Sequence, residues 1–301
     1  MKPKFIKPLV NQREANALEG EFLTRLHYRE IAQPDVPYID DESGKLVCLL
    51  VKQCLLADIC QQAYAHLRTV SKIPNNRGIA VAGKGGMMPR LTKDGSLSSR
   101  NAIPRLVWEA AGKPLADFLG FFDYRDANEK RKLNCRETEW TGTHRVVYDA
   151  ALPFIREVNS VFETCRPLEY AVQLDEVRKV ADELKIAGTA FTTVTVNKNL
   201  RTACHRDQGD LRQGTGCMAT LGEWKGSELV IPQFGLAVNY QPGDLLLADV
   251  HLLHGNAPFV AGGERITTVL YCRERMHECG SDSGEETGAA HRTQGDVSPF
   301  R

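Results

Sequence analysis

Two histidines and an aspartate in the second half of the chain have the types and order of a metal site. His205 and Asp207 form an H-x-D pair, and His254 follows further along the chain. In an extended strand, residues i and i+2 point to the same face, so this imidazole and this carboxylate lie side by side. Two histidines and one carboxylate form the facial triad that holds non-haem Fe(II) and leaves coordination positions open. The three residues are therefore candidate iron ligands and the candidate catalytic centre.

The context of the triad supports this interpretation, because an H-x-D tripeptide is common by chance. The β-branched run FTTVTVN precedes His205, and PGDLLLADVHLLHGN leads to His254. His251 lies in the same run and is the alternative second histidine. His254 is preferred because a Gly-Asn turn follows it, which places it at the end of a strand.

A basic residue and a hydroxyl follow on the next strand-like run, RITTVLY. Arg265 and Thr267 are two residues apart and share one face. Guanidinium groups bind carboxylates in a bidentate geometry. With the triad, this pair predicts a 2-oxoglutarate site in which Arg265 holds the distal carboxylate of the co-substrate. Arg273, at the end of the same run, is the alternative.

The strand-like runs indicate the fold class. Short alternating segments are separated by Gly and Pro turns from residue 189 onward; they cover 215–221, 227–231, 236–240, 244–249 and 265–272. Many short strands with regular turns are typical of a sandwich or jelly roll. We therefore predict an α+β fold with a double-stranded β-helix core, a cupin-like jelly roll, flanked by helices.

Helical spacing is found before the strand-rich part. Apolar residues recur at helical intervals in a short patch at 11–26, in 151–164 and in 168–184. The segment 46–67 is predicted to be a core helix or a strand leading into one. Residues 106–149 are predicted to be irregular, and their cluster FLGFFDY is more typical of a core than of base stacking.

These elements predict one domain. It spans 1–276, with a helical and loop-rich part at 1–188 and the jelly-roll core at 189–276. The tail 277–301 has almost no large apolar residues and is predicted to be disordered.

A basic segment, Lys72–Arg105, is rich in Gly, Ser and Pro and carries seven Lys or Arg residues against one acid. Such a segment is either a solvated loop or a surface that meets phosphates.

The composition is that of an ordinary globular protein. The formal net charge is zero, so any nucleic-acid site must be local. No apolar run is long enough for a membrane span, and the start lacks the apolar stretch of a signal peptide. The nine cysteines include no C-x-x-C pair, which predicts reduced thiols and a cytoplasmic protein.

Two longer stretches, TVTVNKNLRTACHRDQGDLRQGTGCMATLG and GSELVIPQFGLAVNYQPGDLLLADVHLLHGN, resemble the TET/JBP family. These are Fe(II)/2-oxoglutarate dioxygenases that hydroxylate the methyl group of 5-methylpyrimidines in DNA. The similarity is greatest to kinetoplastid JBP-type and bacteriophage members, and NNRGIAVAG resembles an upstream segment of the family. The cysteine-rich zinc-binding region of animal TET enzymes is missing, so the base must be positioned differently here.

The resemblance implies that His205, Asp207 and His254 bind Fe(II) and that Arg265 binds 2-oxoglutarate. It also nominates substrate or supporting residues, whose alternative is ordinary turn chemistry: Arg77, Asn197, Arg201 and Asp210. It implies hydroxylation of 5-methylcytosine in DNA to 5-hydroxymethylcytosine, with further oxidation open.

Other functions remain open at this point. The first alternatives are a thymine hydroxylase in DNA and a 2-oxoglutarate-dependent hydroxylase of a small molecule such as an amino acid. A third is a DNA-binding protein with a degenerate iron site, against which the intact H-x-D…H…R constellation argues.

The implied partners are O2 and DNA with a flipped or single-stranded base, because a stacked methyl group cannot reach an iron at the mouth of a barrel. Neither a membrane nor an obligate protein partner is expected. The expected location is the cytoplasm of an infected host for a bacteriophage protein, or the nucleus for a eukaryotic one.

Overall fold

The architecture is that of two facing β-sheets with helices packed on the outer face of the larger one. A computed structural model describes residues 1–74, 79–84, 88–91, 97–102, 113–125 and 133–279. Its strands are β1 Lys4–Ile6, β2 Glu30–Ile31, β3 Tyr38–Asp40, β4 Leu46–Val51, β5 Met88–Leu91, β6 Leu97–Ala102, β7 Leu115–Arg125, β8 Leu133–Glu137, β9 Thr193–Lys198, β10 Gly216–Gly226, β11 Leu229–Ile231, β12 Leu236–Val238, β13 Leu245–Ala248, β14 Gly255–Asn256 and β15 Phe259–Tyr271. Its α-helices are α1 Gln12–Ala17, α2 Ala57–Leu67, α3 Ile79–Ala82, α4 Glu139–Thr143, α5 Arg145–Cys165 and α6 Pro167–Arg178.

The strand order shows the jelly roll. Among the described residues, the larger sheet has nine strands in the order β1-β3-β4-β13-β10-β15-β9-β7-β8. The smaller sheet has four, in the order β14-β11-β12-β2, and β5 and β6 form a separate pair. The central strands of the larger sheet are antiparallel to their neighbours. The predicted α+β fold with a jelly-roll core flanked by helices is confirmed.

Strand β9 explains how the larger sheet has two different faces. Val194 and Val196 point to the outer face, where they join the apolar core beneath the helices. Thr195 and Asn197 alternate with them and point to the inner face, between the two sheets. The β-branched run therefore makes a strand that is buried on both sides but polar on one.

The helices close the outer face. Helix α5 buries Phe154, Val158 and Phe162 against the sheet. The ring of Phe162 stacks on Phe191 at 6.3 Å and meets Tyr170 of α6 edge-on at 5.4 Å. Helix α5 is longer than the predicted 151–164. Helix α6 ends at Arg178, and a 3₁₀ turn replaces the last part of the predicted 168–184.

The prediction of irregular structure at 106–149 is wrong for residues 113–125 and 133–149, and the rest of this stretch lies outside the described residues. Strands β7 and β8 pair antiparallel, and β7 also pairs with β9, which makes the aromatic run an extension of the larger sheet. The charged run DANEKRKLNCRETEW lacks a clear alternation of apolar and polar residues, so the sequence did not indicate strands here. Phe121 is buried in the core, whereas Phe122 and Tyr124 are half-buried. At 46–67 the second alternative is right, since β4 leads into α2.

The prediction that every cysteine is a reduced thiol is wrong for one pair. Cys135 on β8 and Cys279 after β15 form a disulfide, with their Cα atoms 6.2 Å apart. The two residues are 144 positions apart in sequence, so no local spacing could reveal the pairing. The other seven cysteines are free.

The first three residues of the tail that was predicted to be disordered, 277–279, are ordered. Residues 277–279 of the predicted tail lie in a 3₁₀ turn, Met276–Cys279, and residues 280–301 lie outside the described residues. Among the described helices, none has the length and apolar character that a bilayer crossing needs.

We predict that Phe162→Ala lowers the free energy of unfolding by about 3–5 kcal/mol, because it empties a fully buried ring site between two helices and the sheet. Urea unfolding measures the change. Val146→Ala on the same helix is the control, since Val146 is 73% exposed, and its effect should stay within about 0.5 kcal/mol. Equal effects of the two substitutions would contradict this account of the core.

Candidate metal centre

The structure brings the three predicted ligands together. The Nε2 atom of His205 lies 3.6 Å from Oδ1 of Asp207, and Nε2 of His254 lies 3.8 Å from Oδ2 of the same carboxylate. One ligand atom from each residue lies within 4.8 Å of the others, and no other such group of three is found among the described residues. The two imidazoles are buried and the carboxylate is half-buried. This donor set, two neutral nitrogens and one carboxylate on one side of a centre, fits Fe(II).

Backbone hydrogen bonds hold the two histidines opposite each other. The N–H of His205 donates to the carbonyl of His254, and the N–H of His254 donates to the carbonyl of His205, both at 2.9 Å. The N–H of Asp207 donates to the carbonyl of Val250 at 3.1 Å. The ligands therefore sit on a short antiparallel bridge that the main chain itself fixes.

The orientation of each imidazole suits metal binding through Nε2. Nδ1 of His205 lies 2.8 Å from the carbonyl of Ala203, and Nδ1 of His254 lies 2.9 Å from the carbonyl of Leu252. A proton on Nδ1 donates to that carbonyl and leaves the Nε2 lone pair free, which is the outer contact that metal-binding histidines use. The preceding residues, Cys204 and Leu253, are buried in a separate apolar cluster, so the imidazoles face the other way.

Two segments from the N-terminal part hold the loop that carries His205. Gly20 donates to the carbonyl of Cys204, and Cys204 donates to the carbonyl of Glu21. Ala203 donates to the carbonyl of Ala80 in the NNRGIAVAG segment. Residues 20–21 and the upstream family-like segment therefore position a candidate iron ligand.

Arg201 takes part in the same packing. Its guanidinium donates to the carbonyls of Leu23 at 2.8 Å and Asn256 at 3.3 Å, and it lies over the ring of Phe22. These contacts hold the loop, and a substrate role for Arg201 stays a prediction.

His251, the alternative ligand, is placed outside the triad. Its Nδ1 lies 3.1 Å from the Asp249 carboxylate and its Nε2 lies 3.3 Å from the carbonyl of Asp210. The hydrogen bond to Asp249 raises the pKa of His251. Both ring nitrogens are thus engaged away from the centre.

Arg265 is a buried cation that lacks an acidic partner among the described residues. Its side chain is 2% exposed, and it donates to the hydroxyl of Tyr240 at 2.8 Å. The aromatic rings of Trp224, Tyr240 and Phe259 surround the guanidinium at 5.4–6.0 Å. Its backbone N–H is fixed by Asn199. Leaving a buried charge unpaired is costly, so this environment suits an anionic ligand.

Polar atoms beside Arg265 support the same conclusion. Thr220, Thr267 and Asn197 lie in register on β10, β15 and β9 and so form one row on the inner face. Oγ1 of Thr220, Oδ1 of Asn197 and Nε of Arg265 are buried without a hydrogen-bond partner among the described residues. Buried polar atoms are normally satisfied, so these atoms indicate a polar ligand that completes them. The residues present therefore fit 2-oxoglutarate, with its distal carboxylate on Arg265.

Two members of this site were missed by sequence reasoning. Thr220 lies across the strand from Thr267, and Tyr240 reaches Arg265 from the segment after β12. Both have residue types that are common in strands. The signal for Thr220 is a lone hydroxyl in the apolar run GCMATLG, but only the register shows that it faces Thr267.

Arg273, the alternative carboxylate ligand, has acidic neighbours instead. Its guanidinium forms a close ion pair with Asp123 of β7. Burial works to lower the pKa of Arg273, but Tyr271, Asp123 and Asp210 together raise it above its usual value. Asp210 is buried and forms a backbone bridge with Arg273. A neutralised guanidinium is a poorer site for a further carboxylate than Arg265.

The basic segment is described only in part. Arg77 lies outside the described residues. Lys72 pairs with Glu139 at 2.7 Å and Lys84 pairs with Glu21 at 3.8 Å. A phosphate contact from this segment stays a prediction.

We predict that Asp207→Ala loses Fe(II) binding and turnover while the protein stays folded, because the triad then keeps only two neutral ligands. Anaerobic titration calorimetry with Fe(II) measures the binding, and circular dichroism checks the fold. Asp249→Asn is the matched control, since Asp249 lies near the site but contacts His251. Tight iron binding by the Asp207 variant would show that the ligands are assigned wrongly.

We predict that Arg265→Lys raises the KM for 2-oxoglutarate by about ten- to hundredfold, since an ammonium group loses the bidentate geometry. Steady-state succinate formation measures it. Arg273→Lys is the matched control and should leave the KM for 2-oxoglutarate within about twofold of the parent value, given the acidic neighbours of Arg273. The reverse pattern would assign the carboxylate to Arg273.

Comparison with known proteins agrees with this geometry. Residues 117–274 match the family model Tet_JBP, the oxygenase domain of the 2OGFeDO superfamily. The thymine dioxygenases JBP1 of Trypanosoma brucei brucei and Leishmania infantum are each 34% identical over 171 residues, which is 55% of this chain and 20% of theirs. The bifunctional helicase and thymine dioxygenase JBP2 of Trypanosoma cruzi (strain CL Brener) is 26% identical over 261 residues, 85% of this chain and 21% of that protein. The chain thus spans about a fifth of the length of these relatives.

A solved structure shares the fold. NgTET1 in complex with 5mC DNA superposes with a TM-score of 0.55 at 10% identity, covering 88% of this chain and 92% of that one. The family match covers more than half of the chain and includes all three triad residues. The cofactors of this superfamily are Fe(II) and 2-oxoglutarate. This chain belongs to the TET/JBP family of Fe(II)/2-oxoglutarate oxygenase domains.

Proposed function

We propose that this chain is a dioxygenase that hydroxylates the 5-methyl group of a pyrimidine in DNA. The observation that carries the proposal is that a His-Asp-His centre and a buried Arg265 guanidinium, which lacks an acidic partner among the described residues, occur together in a chain of the TET/JBP family. When bound, Fe(II) and 2-oxoglutarate supply the oxidising power that uses O2 to hydroxylate an unactivated methyl group.

The residues of the chain divide the remaining work. His205, Asp207 and His254 would hold the metal through three ligand atoms, a set that leaves coordination positions for the co-substrate and O2. Arg265 and the hydroxyl of Thr220 beside it would hold the distal carboxylate of 2-oxoglutarate. Met218, Leu246 and Val238 are buried between the two sheets and make that part of the interior apolar.

A pocket next to Arg273 has the size and lining for a nucleobase. It encloses about 420 Å³ and is lined by Phe118, Phe122, Asp123, Arg136 and Arg273 among others. Aromatic walls accept a base by stacking, and the charged groups offer hydrogen bonds to its edge. Arg273 also lies beside the turn that follows Asp207. A Cβ added to Gly209 in this turn would lie only 3.2 Å from the guanidinium nitrogens of Arg273. A flipped base in this pocket is therefore our proposal for substrate binding.

Two bases are candidates, and a separate observation favours each. Asp210 is buried, and its backbone bridges to that of Arg273, which lines the proposed base pocket. A carboxylate accepts hydrogen bonds, and cytosine carries a donor at N4, beside the 5-methyl group, where thymine carries an acceptor. Asp210 thus favours 5-methylcytosine. The JBP1 relatives, named thymine dioxygenases, favour thymine.

A small-molecule substrate is the alternative function. The observation against it is the family, whose relatives with 33–34% identity are named as thymine dioxygenases. A free amino acid would also need a site for its charged ends near the metal. Among the described residues, the cation beside the row of unpartnered polar atoms is Arg265, which 2-oxoglutarate takes.

The test uses three duplexes of the same sequence, with 5-methylcytosine, unmodified cytosine or uracil in place of thymine. The protein is incubated with Fe(II), 2-oxoglutarate and O2, and the nucleosides are analysed by mass spectrometry. We expect 5-hydroxymethylcytosine from the first duplex; a thymine enzyme would give 5-hydroxymethyluracil from the first two and none from the third. Succinate formation without any oxidised pyrimidine, on all three duplexes and their single strands, would contradict the proposal.

We predict that Asp210→Asn lowers the ratio of 5-methylcytosine to thymine oxidation by about tenfold or more, because an amide can donate to O4 of thymine as readily as it accepts from N4 of cytosine. Competition between the two bases in one duplex measures the ratio directly. Asp249→Asn is again the matched control and should leave it unchanged. An unaltered ratio in the Asp210 variant would remove Asp210 from base selection.

A further inference from the structure

The disulfide adjoins residues that line the proposed base pocket, since Cys135 is next to Arg136 in sequence and opposite Asp123 in the sheet. Cys135 pairs with Asp123 across β8 and β7, and Asp123 forms the ion pair with Arg273. Cys279 ends the segment that begins at Arg273. The disulfide and the ion pair therefore close a ring of contacts: Cys135 to Asp123, Asp123 to Arg273, and Arg273 along the chain to Cys279.

This ring is attached to the turn that follows the iron ligand Asp207. Leu211 donates to the carbonyl of Cys272 at 2.9 Å, and the N–H of Glu274 donates to the carbonyl of Gly209 at 3.0 Å. The Arg273 guanidinium packs against Gly209. A displacement of the Arg273–Cys279 segment would therefore strain or break the hydrogen bonds to residues 207–211.

Cys135 lies on an edge strand, and this position would allow the two cysteines to separate when the disulfide is reduced. Strand β8 is the last strand of the larger sheet and pairs only with β7 among the described residues, so it can separate locally without disrupting the central strands. Several of the free cysteines have a low thiolate fraction at neutral pH because they are buried. Burial raises the pKa of Cys60 to about 11 and the pKa of Cys204 and Cys272 to about 12.

We propose that the Cys135–Cys279 disulfide is a reversible redox clamp that holds the Asp123–Arg273 pair, and with it the 207–211 turn, in the arrangement that accepts substrate. Its consequence for DNA rests on the proposed function, whereas its effect on the turn does not. A low-molecular-weight disulfide such as glutathione disulfide is the oxidant.

The exchange balances. Two protein thiols and one glutathione disulfide give one protein disulfide and two molecules of reduced glutathione. A thiolate of the pair attacks glutathione disulfide and expels one glutathione thiolate, and the second protein thiolate then attacks the mixed disulfide and expels the other. The two protons of the protein thiols pass to the two glutathione thiolates, and the two electrons reduce the glutathione disulfide.

The experiment compares the full chain in its two redox states, without metal. Protein is treated anaerobically with reduced glutathione or glutathione disulfide and desalted. Alkylation and peptide mapping then count the free thiols, and hydrogen–deuterium exchange follows residues 207–211 and 272–279. We expect the Cys135–Cys279 peptide only in the oxidised sample, and amide exchange in both segments slower by about tenfold than in the reduced sample.

Two variants complete the design. Cys279→Ser should exchange at the reduced rate after either treatment. Cys165→Ser, which removes a half-buried free thiol on α5, should behave as the parent protein does. Identical exchange of the parent protein in its two states, or failure of the cross-link to form with glutathione disulfide, would overturn the clamp whatever the variants do.

Activity separates the clamp from the proposed function. With Fe(II), 2-oxoglutarate and methylated DNA, the oxidised protein should have a KM for DNA several-fold lower than the reduced protein, and DNA-independent succinate formation should be equal in both. A redox-dependent exchange rate with no oxidised base in either state would leave the clamp standing and refute the proposed function. If the amide exchange rate depends on the redox state but the KM for DNA does not, the disulfide stabilises the turn without affecting substrate binding. That result would overturn the proposed link to substrate.

Discussion

The reciprocal backbone hydrogen bonds between His205 and His254 are the constraint on which the site depends. They join the loop after β9 to the segment before β14, and so connect the larger sheet to the smaller one. Because the bonds are made by the main chain, both imidazoles point to the same side, and the Nδ1 contacts to Ala203 and Leu252 then aim each Nε2 at Asp207. Gly255 shows how close this approach is, since a Cβ there would lie 3.0 Å from the backbone of Ala203 and Cys204.

The second constraint is the charge on Arg265. A buried guanidinium that lacks a carboxylate costs several kcal/mol after relaxation, and surrounding aromatic rings recover only part of this. The inner row of Thr220, Thr267 and Asn197 adds polar atoms that the protein does not satisfy itself. A fold that keeps such a site is expected to be stabilised by a dicarboxylate, and 2-oxoglutarate is the one that the family uses. The N-terminal segments contribute by a different route, as Gly20, Glu21 and Ala80 hold the backbone beside His205.

The contacts that could be predicted from the sequence are those set by short spacings or by a clear alternation of apolar and polar residues. The H-x-D pair, the Gly-Asn turn after His254 and the i, i+2 spacing of Arg265 and Thr267 were enough to predict which side chains meet. Contacts that depend on pairing between residues far apart in the sequence could not be predicted. Strand β7 becomes a strand because β9 lies beside it, and Cys135 meets Cys279 because β8 packs against the end of the chain that follows β15. Thr220 and Tyr240 have no distinctive spacing, and only the sheet register places them near Arg265.

The most direct test of the central claim is a crystal structure of the protein grown without O2 in the presence of Mn(II), as a stand-in for Fe(II), and 2-oxoglutarate. We expect one metal ion held by Nε2 of His205, the Asp207 carboxylate and Nε2 of His254. We also expect the distal carboxylate of 2-oxoglutarate to bind Arg265, with Thr220 or Thr267 as a further contact. A metal ion bound by His251 in place of His254, or a distal carboxylate on Arg273, would contradict it.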